Sequence, residues 1–422
     1  MEKVLLLNPP AKNLYLRDYF CTSLSKAGYC WQPIDFLVIS GLLKNNYEVF
    51  VLDCIAEKLS FSNSLNIINK ISPDILIFLS STLSYKEDFD FVKKIPAKKI
   101  FGIGEIFLGN TKEILKENSF INGTILDFTN SRLKDFIEKP ENFGNILHFE
   151  ETKSFSYPVP LYEKFPLKKY NYPLHLFNPY ASVLTTYGCP FKCHFCNSGS
   201  LGFKLRNAEN ILEELFYVRK KLNIKQIFIK DMTFLSNREY SLEILRQIIK
   251  RKLEIVFNCY TRVELLDEEI IYYLKKSGCH LIQLGIEHID KEFLKKFGKN
   301  IDLEKIKKVV KILKEYKIKF GMHFIFGLPG DTKDSIKKVL DFVKEIQPDY
   351  VSFNIFYPRV ASVLENYTPK ENSELKKYVN FAYLKYYVSF RYIFRRIMTL
   401  KTLYELRNLL YSAFSLLKNI II

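Results

Sequence analysis

The sequence predicts an α/β protein in which a doubly wound, Rossmann-like parallel sheet precedes a partial (β/α)6 barrel and a helical C-terminal region. Continuous runs of Val, Ile, Leu and Phe alternate with helical patterns in two separate stretches of the chain. Such runs are typical of parallel strands whose faces are both covered by crossover helices. A stretch rich in proline and aromatic residues separates the two alternations, and the chain after residue 365 has only helical patterns.

Five apolar runs predict the strands of the first domain, residues 1–150: KVLLLNPP, YEVFVLDC, DILIFLSST, KKIFGIGE and GTILDF. Helical patterns such as IDFLVISGLLKNN lie between them. Ligands of doubly wound sheets bind beyond the carboxyl ends of the strands. The sequence therefore predicts a ligand-binding edge that contains Asn8, Pro9, Pro10, Asp53, Ser80, Ser81, Thr82, Gly102 and Gly104.

A linker is predicted between the two domains. The stretch SFSYPVPLYEKFPLKKYNYPLHLFNPY interrupts all periodicity with five prolines and many aromatic residues. Clusters of this kind favour loops over regular elements. We therefore expect residues 151–178 to be an extended linker that packs across the surface, with the domain boundary at that point.

Six further apolar runs predict the strands of the second domain, residues 179–365: ASVLTTY, IKQIFIKD, LEIVFNCY, HLIQLGIE, IKFGMHFIFGLPG and YVSFNIFYP. A barrel of eight units takes about 250 residues, whereas residues 180–357 have room for about six units. The sequence therefore predicts a partial barrel. The basic and aromatic C-terminal region, residues 366–422, either covers the open side of this barrel or contacts a membrane surface or a lipid-like substrate.

The composition limits the possible classes of protein. The first residues, MEKVLLLNPP, lack the long apolar core of a secretion signal, and no run approaches the ~18 apolar residues of a membrane span. We therefore expect a cytoplasmic protein whose eight cysteines stay reduced. The formal charge of +17 indicates a solvated basic surface or a patch for an acidic partner. Nucleic acid is not expected, because the signature motifs of RNA-binding domains are absent.

The stretch TTYGCPFKCHFCNSG places Cys189, Cys193 and Cys196 directly after the first predicted barrel strand. Active sites of βα barrels lie at that end of the strands. A structural zinc site needs four protein ligands, so zinc would have to recruit His194, Cys259 or Cys279 as the fourth. An iron–sulfur cluster also prefers four thiolates. With only three, one iron stays open to a small ligand.

The spacing Cys-x3-Cys-x2-Cys, with Phe195 before the last cysteine, resembles the signature of the radical S-adenosylmethionine (SAM) enzymes. The resemblance implies a [4Fe–4S] cluster on Cys189, Cys193 and Cys196, with SAM chelated by the fourth iron. In that family the reduced cluster cleaves SAM to a 5′-deoxyadenosyl radical, which takes a hydrogen atom from the substrate. A reductant such as ferredoxin or flavodoxin is then an implied partner.

The same resemblance extends to the ends of later strands, in IKDMTF, NCYTRVELL, LGIEH and FIFGLPGDT. It implies contacts to SAM or substrate from Asp231, Arg262, Gly285, Glu287, Gly327, Pro329 and Gly330. Arg262 would bind the SAM carboxylate, because a guanidinium matches a carboxylate bidentately. After the sixth strand many relatives have Pro-Gly-Thr, and Val360 and Ala361 in FYPRVAS depart from that pattern.

A doubly wound domain ahead of such a core resembles the cobalamin-binding subgroup, as do LLLNPP, the aromatic linker and YLKYYVSFRYIFRRI in the tail. The resemblance implies cobalamin at the first-domain edge, and methyl transfer or cyclisation on an unidentified small-molecule or lipid-like substrate. The chain lacks an Asp-x-His-x-x-Gly segment, and GIGEIFLGN stands where relatives often have Gly-Gly-x-His. A degenerate first domain in a cobalamin-free radical enzyme is therefore the alternative.

Two further alternatives concern the class of enzyme and the position of the single tryptophan. A tRNA methylthiotransferase would carry three more clustered cysteines in its first domain, whereas Cys21, Cys30 and Cys54 are dispersed. Trp31, the only tryptophan, is predicted to lie either in the core or in a corrin pocket.

Overall fold

The computed structural model describes residues 1–18, 22–25, 27–368 and 373–421, so Cys21 lies outside the described residues. Six parallel strands form the first sheet in the order β4-β1-β5-β6-β7-β8, and β2 pairs with β3 in a separate antiparallel ribbon. The strands of this domain are β1 (Lys3–Asn8), β2 (Tyr15–Leu16), β3 (Ser23–Leu24), β4 (Glu48–Asp53), β5 (Ile75–Leu79), β6 (Lys99–Ile103), β7 (Gly123–Ile125) and β8 (Ile146–Leu147). The predicted doubly wound parallel sheet is confirmed.

Helices cover both faces of this sheet, and they are α1 (Ile34–Leu43), α2 (Cys54–Glu57), α3 (Phe61–Ile71), α4 (Tyr85–Val92), α5 (Thr111–Glu117) and α6 (Leu133–Glu138). One apolar core lies on each side of the sheet, and alternate residues of β1 enter different cores. The strand order reverses between β1 and β5, which makes their carboxyl ends the switch point where doubly wound sheets bind ligands. Strand β8 was not predicted, because two residues are too few for a periodic signal.

Six parallel strands in chain order form the second sheet, from β10 to β17. A three-stranded sheet, β11-β12-β9, lies beside it. The strands of this half are β9 (Ser154–Phe155), β10 (Tyr180–Val183), β11 (Thr186–Gly188), β12 (Phe203–Arg206), β13 (Gln226–Ile229), β14 (Val256–Thr261), β15 (Cys279–Glu287), β16 (Lys319–Phe326) and β17 (Tyr350–Ile355). All six predicted barrel strands are present.

The barrel helices are α7 (Ala208–Phe216), α8 (Arg238–Lys250), α9 (Glu268–Ser277), α10 (Lys291–Lys295), α11 (Leu303–Glu315) and α12 (Lys333–Ile346). Three more helices follow the barrel: α13 (Ser373–Tyr387), α14 (Phe390–Met398) and α15 (Leu403–Ile421). Among the described residues, none of the helices is both long and apolar enough to cross a bilayer.

Helix α13 covers the edge strand β17, as one of the two predictions for the tail required. The Tyr383 hydroxyl accepts a hydrogen bond from the Phe353 N–H and donates to the Phe353 carbonyl, both at 3.0 Å. The Tyr387 hydroxyl pairs in the same way with the N–H and carbonyl of Val351, at 2.9 and 2.7 Å. Side-chain hydroxyls thus satisfy main-chain groups that a bare edge would expose.

The sequence predicts a linker that packs across the surface, but in the structure several of its side chains are buried. Tyr162, Tyr170, Tyr172 and His175 are all buried. The Tyr170 hydroxyl donates to Asp53 Oδ2 at 3.0 Å, and that of Tyr162 donates to the Ser182 carbonyl at 2.8 Å. Tyrosine suits such positions, because its ring fills apolar space while its hydroxyl pairs with a buried polar group. The linker is therefore a core element between the domains.

Among the described residues, three ion pairs join the two domains, and two of them are buried. Lys230, directly after β13, lies 2.7 Å from Asp18, and Lys204 on β12 lies 2.6 Å from Asp127, just beyond β7. Arg359, beyond β17, lies 3.3 Å from Glu105, just beyond β6. Because four of these residues lie at or beyond the carboxyl ends of strands, the ligand-binding edges of both sheets meet.

We predict that Lys204→Met lowers the free energy of unfolding by about 3–5 kcal/mol, because it leaves Asp127 buried without its cation. Urea unfolding followed by the fluorescence of Trp31, which is buried at the domain junction, measures the change. Arg251→Met is the matched control, since its ion pair with Glu209 is exposed and should contribute less than about 1 kcal/mol. Equal effects of the two substitutions would contradict the prediction.

Candidate active site at the junction of the two sheets

The sequence predicts that the cysteine loop, residues 189–202, directly follows the first barrel strand. In the structure, the short strand β11 lies between that strand and the loop. The chain leaves β10, enters β11, and pairs antiparallel with β12 after the loop. Cys189 begins this loop, and its N–H donates to the Gly202 carbonyl at 3.2 Å. The loop is thus the tip of a short hairpin at the carboxyl end of the barrel sheet.

Gly188 allows this hairpin to close. Its φ of +71° lies in the left-handed region, and a Cβ built there would lie 1.9 Å from the Gly202 carbonyl oxygen. No side chain fits that space, so position 188 requires glycine.

The three thiols of the loop are largely buried and interact with one another. Burial raises the pKa of Cys189, Cys193 and Cys196, and each pKa is raised further by the negative charge of another cysteine of the three. Arg262 Nη1 donates to Cys193 Sγ at 3.3 Å, and the Ser198 N–H donates to Cys196 Sγ at 3.4 Å. The Thr233 hydroxyl lies 3.7 Å from Cys189 Sγ, so the loop gathers three potential thiolates, each with a polar group at hydrogen-bond distance.

Within the described parts of the chain, no three His, Cys, Asp or Glu side chains converge as ligands of a single ion would. An iron–sulfur cluster makes a different demand, because each cysteine binds a separate iron. The available ligands are three thiols of one loop, which agrees with the iron–sulfur cluster that the sequence predicts.

An apolar cluster surrounds the loop. Phe195, Phe297, Leu328 and Phe356 form it, with Cys193 and Cys196 packed against it. Such a shell limits solvent access to a metal centre and controls its potential. The sequence predicted only Phe195 of this set, since the others lie on three different segments that the fold brings together.

Two distant segments hold the loop, one between β15 and α11 and one beyond β17. The His194 N–H donates to the Phe297 carbonyl at 2.9 Å, and the Leu364 N–H donates to the His194 carbonyl at 3.2 Å. A Cβ on Gly298 would lie 2.7 Å from the Lys192 carbonyl oxygen. The backbone of His194 is thus fixed on both sides.

Asp231 holds the residues that precede the cysteine loop. Its Oδ1 accepts the Thr185 N–H at 2.7 Å, and its Oδ2 accepts the Thr185 hydroxyl. Burial raises the Asp231 pKa to about 6, although hydrogen bonds from Thr185 and Thr186 oppose this shift. Both carboxylate oxygens are therefore engaged at the junction of β10 and β11, where they position the start of the hairpin.

Arg262 directly follows β14 and lies at the loop, as the sequence predicted. Its guanidinium pairs with Glu264 as well as with Cys193, and it lies 4.1 Å from the centroid of the Phe191 ring. The side chain is buried, so its charge acts in a medium that screens little. A carboxylate ligand at this point would compete with Glu264 for it.

Gly285 and Glu287 lie at a bulge in the pairing of β15 with β16. Lys299 Nζ donates to the Gly285 carbonyl at 2.9 Å and lies 3.2 Å from Glu287 Oε1. A Cβ on Gly285 would lie 2.6 Å from the same carboxylate oxygen, so glycine leaves room for the Glu287 side chain. The sequence does not predict a role for Lys299, because nothing in KKFGKN distinguishes it from the other lysines.

The turn after β16 contains Gly327, Pro329 and Gly330, and both glycines have positive φ. The Gly327 N–H donates to Asp331 Oδ2 at 2.8 Å, and His288 Nε2 lies 3.7 Å from Asp331 Oδ1. Burial would raise the Asp331 pKa, but the nearby His288 and the hydrogen bonds from Ser335 and Gly327 outweigh burial and hold that pKa below its usual range. The carboxylate therefore fixes the turn.

At the first-domain edge, the predicted residues bind one another. Asn8 Nδ2 donates to Asp53 Oδ1 at 2.8 Å, and the buried Arg17 donates to Asn8 Oδ1 at 2.9 Å and to the Pro9 carbonyl at 2.5 Å. Arg17 also forms a buried ion pair with Asp88. Its side chain therefore lies at the switch point, which no sequence signal indicated.

The neighbouring loops are similarly satisfied. The Ser80 hydroxyl donates to Asp88 Oδ2 at 2.9 Å, the Ser81 hydroxyl lies 2.8 Å from that of Ser84, and Thr82 donates to Glu105 Oε1 at 2.7 Å. Glycine is required here by the protein's own packing. A Cβ on Gly102 would lie 2.3 Å from the Phe107 ring, and one on Gly104 would lie 1.9 Å from the Ser80 carbonyl oxygen.

Neither Cys30 nor Cys54 adds to a second cluster. The Cys30 thiol contacts the linker at the Lys169 carbonyl, whereas Cys54 lies in the apolar core on the other face of the sheet. Trp31 lies at the domain junction with Lys230 Nζ 3.4 Å from its ring centroid, and its Nε1 has no hydrogen-bond partner among the described residues.

We predict that Gly188→Ala prevents the loop from assembling its metal centre, because the added Cβ meets the Gly202 carbonyl. Iron and acid-labile sulfide per chain, measured after anaerobic reconstitution, should fall to a small fraction of the wild-type value. Gly144→Ala is the matched control, since Gly144 also has positive φ but has no atom within 4 Å of its Cβ position. Normal iron content in Gly188→Ala would refute this account of the hairpin.

Comparison with known proteins agrees with this geometry. The radical SAM superfamily profile matches residues 183–343. An uncharacterized methyltransferase of Pyrococcus horikoshii is 28% identical over 402 residues, a match that covers 88% of this chain and 84% of that protein. An anaerobic magnesium-protoporphyrin IX monomethyl ester cyclase of Rubrivivax gelatinosus is 25% identical over 175 residues, covering 40% of this chain and 32% of the cyclase. The match to the cyclase is thus confined to a part of each protein.

Two solved structures share the fold over most of the chain. The radical SAM methyltransferase TsrM of Kitasatospora setae, solved with cobalamin and a [4Fe–4S] cluster, has a TM-score of 0.69 at 15% identity and covers 86% of this chain and 74% of its own. The cobalamin-dependent radical SAM enzyme OxsB, solved with aqua-cobalamin, has a TM-score of 0.59 at 16% identity and covers 87% and 55%. At these identities the likeness establishes the fold alone.

The superfamily match contains β13 to β16 and the whole cysteine loop, while the fold likeness extends over the first sheet as well. The chain is an enzyme with a radical SAM domain at residues 183–343, and it shares the two-domain fold of TsrM and OxsB.

Proposed function

We propose that Cys189, Cys193 and Cys196 hold a [4Fe–4S] cluster, that cobalamin binds between the two domains, and that the enzyme methylates or cyclises an unidentified small-molecule or lipid-like substrate. One observation carries the proposal: the three-cysteine loop lies at the carboxyl end of the barrel sheet, and the carboxyl edge of the first sheet is held against that end. Chemistry at the loop would thus take place beside the ligand-binding edge of a second domain.

A cluster at this position supplies the electron that cleaves SAM to a 5′-deoxyadenosyl radical. The chain's own residues prepare the surroundings. Phe195, Phe297 and Phe356 exclude water from the loop, and this protects a reactive species from side reactions. Arg262 binds the SAM carboxylate in exchange for Glu264. Glu287, held by Lys299, accepts a hydrogen bond from an amino or hydroxyl group.

The turn after β16 binds the adenine through its backbone. Gly327 and Gly330 have no side chains to keep a ring away, and Asp331 holds the turn in place. Asp231 acts as a positioning residue in this proposal, because its oxygens bind Thr185 and are not available to substrate.

Cobalamin belongs to the proposal because of the fold and the domain order, rather than because of particular side chains. Asn8, Ser81 and Thr82 bind other residues of this chain, and Gly102 and Gly104 are required by internal packing. The one histidine of the first domain, His148, follows β8 at the outer edge of the sheet, away from the switch point between β1 and β5. We therefore assign no reaction step to cobalamin.

A specific observation favours the second candidate, a cobalamin-free radical enzyme. The buried ion pair between Arg17 and Asp88 closes the switch point of the first sheet, and moving it would expose two charges that now satisfy each other. In this candidate the first domain is a scaffold, and the radical drives a rearrangement, ring closure or oxidation.

A cytoplasmic location and an acidic electron carrier complete the proposal. The net charge of +17 would attract a ferredoxin or flavodoxin electrostatically. The proposal does not include nucleic acid as a partner.

We predict that Cys193→Ala abolishes reductive cleavage of SAM, because one iron loses its thiolate. The measurement is 5′-deoxyadenosine released per chain by the reconstituted, reduced protein. Cys279→Ala is the control, since Cys279 is buried at the start of β15 and belongs to the alternative zinc reading. Normal cleavage by Cys193→Ala would refute the cluster assignment, whereas loss of cleavage in Cys279→Ala would point to a fourth protein ligand.

We predict that the protein retains about one cobalamin per chain after anaerobic incubation with hydroxocobalamin and removal of free ligand by size exclusion. Mass spectrometry counts the corrin, and SAM cleavage is measured on the same sample. Retention near zero with normal SAM cleavage would select the cobalamin-free candidate. Retention with no cleavage would leave the cofactor site intact and refute the radical chemistry.

A further inference from the structure

Helix α14 presents an apolar face to solvent. Phe390, Ile393, Phe394 and Ile397 follow the spacing of a single helix face, and all four are exposed. Phe390 is 83% exposed, and its ring stacks on that of Phe394 with centroids 6.1 Å apart. A free surface of this kind is costly in water unless something covers it.

The opposite face of α14 is fixed, so the helix cannot turn its apolar face inward. Tyr392 is buried with its ring centroid 4.8 Å from that of Tyr387. Arg396 donates to Glu405 Oε1 at 3.2 Å and to the hydroxyl of Tyr350 on β17. These contacts hold α14 against the barrel with Phe390 and its neighbours outward.

Helix α15 continues the surface. Leu403, Leu406, Leu410 and Phe414 lie on one face of it and are exposed, Leu403 to 85%. Glu405 is buried on another face, where it pairs with Lys319 at 2.7 Å. The apolar stripe, as we name it, consists of Phe390, Ile393, Phe394, Ile397, Met398, Leu403, Leu406, Leu410 and Phe414.

The charges around the apolar stripe have one sign. Between residues 374 and 415 the only carboxylates are Glu374, which pairs with Lys333, and the buried Glu405. The exposed cations of the same segment are Lys376, Lys377, Lys385, Arg391, Lys401 and Arg407. A second copy of this chain would bring like charges together, whereas an anionic bilayer offers both an apolar interior and negative headgroups.

We propose that helices α13 to α15 dock the enzyme on the surface of an anionic membrane. The apolar stripe enters the boundary between headgroups and acyl chains, and the surrounding Lys and Arg residues bind lipid phosphates. Because α13 covers β17, the docked surface lies at the open side of the barrel. The proposal does not depend on cobalamin or on the identity of the substrate.

The test is sedimentation of the cluster-loaded 422-residue protein with vesicles of phosphatidylcholine alone and of phosphatidylcholine mixed with phosphatidylglycerol. We expect binding to the mixed vesicles only, weakened by salt. The double variants Phe390→Ser/Phe394→Ser and Arg391→Glu/Lys401→Glu should each bind about tenfold more weakly, because one loses apolar area and the other reverses two charges.

Matched controls are Phe216→Ser and Lys311→Glu, which change exposed residues of α7 and α11 and should leave binding unchanged. Release of 5′-deoxyadenosine without vesicles should stay at the wild-type level in every variant, which separates docking from the radical chemistry. Should a double variant unfold, Leu403→Ser alone provides the same comparison. Equal binding to both vesicle types, no binding to either, or unchanged binding by the variants would overturn the proposal. A lipid-free dimer that Phe390→Ser/Phe394→Ser dissolves would overturn it in favour of a second copy.

Discussion

The whole arrangement depends on pairs of buried charges at the junction of the two sheets. Lys230 with Asp18 and Lys204 with Asp127 are withdrawn from water, and each charge is tolerable only beside its partner. Such pairs specify geometry more than they add stability, because a slipped arrangement would leave charges unpaired. They make the relative placement of the two ligand-binding edges a discrete property of the fold.

The cysteine loop shows the same dependence on distant support. Its hairpin closes only because Gly188 approaches the Gly202 carbonyl, and its base is held by Asp231 through Thr185. Phe297, from a segment about one hundred residues further along the chain, holds its tip. A site that must accept a reactive intermediate gains from such rigidity, since the supporting shell keeps the reacting groups in place.

Much of this could be predicted from the sequence. Parallel strands buried on both faces give continuous apolar runs, so the sequence predicts every strand of the barrel sheet and all strands of the first sheet except β8. The spacing of Cys189, Cys193 and Cys196 resembles the radical SAM signature, and this resemblance indicates the enzyme class. These features are local in the chain, and a single sequence displays local features.

The parts that the sequence did not predict depend on contacts between distant residues. The resemblance implies that Asp231 contacts SAM or substrate, whereas its partners in the structure are set by how β10 turns into β11. The prolines of the linker predict a surface segment, whereas Tyr162 and Tyr170 are buried in the packed structure. Arg17 gave no signal at all, since a lone arginine in a loop is ordinarily solvated.

The tyrosine hydroxyls of α13 protect an edge of the barrel sheet from pairing with other chains. Strand β17 is an edge strand of its sheet, and an uncovered edge is a template for pairing with other chains. Tyr383 and Tyr387 occupy its main-chain groups from the side, in place of a further strand. Shortening the protein from its C-terminus would therefore convert a folded barrel into an aggregation seed, even where every residue that contacts the cysteines remained.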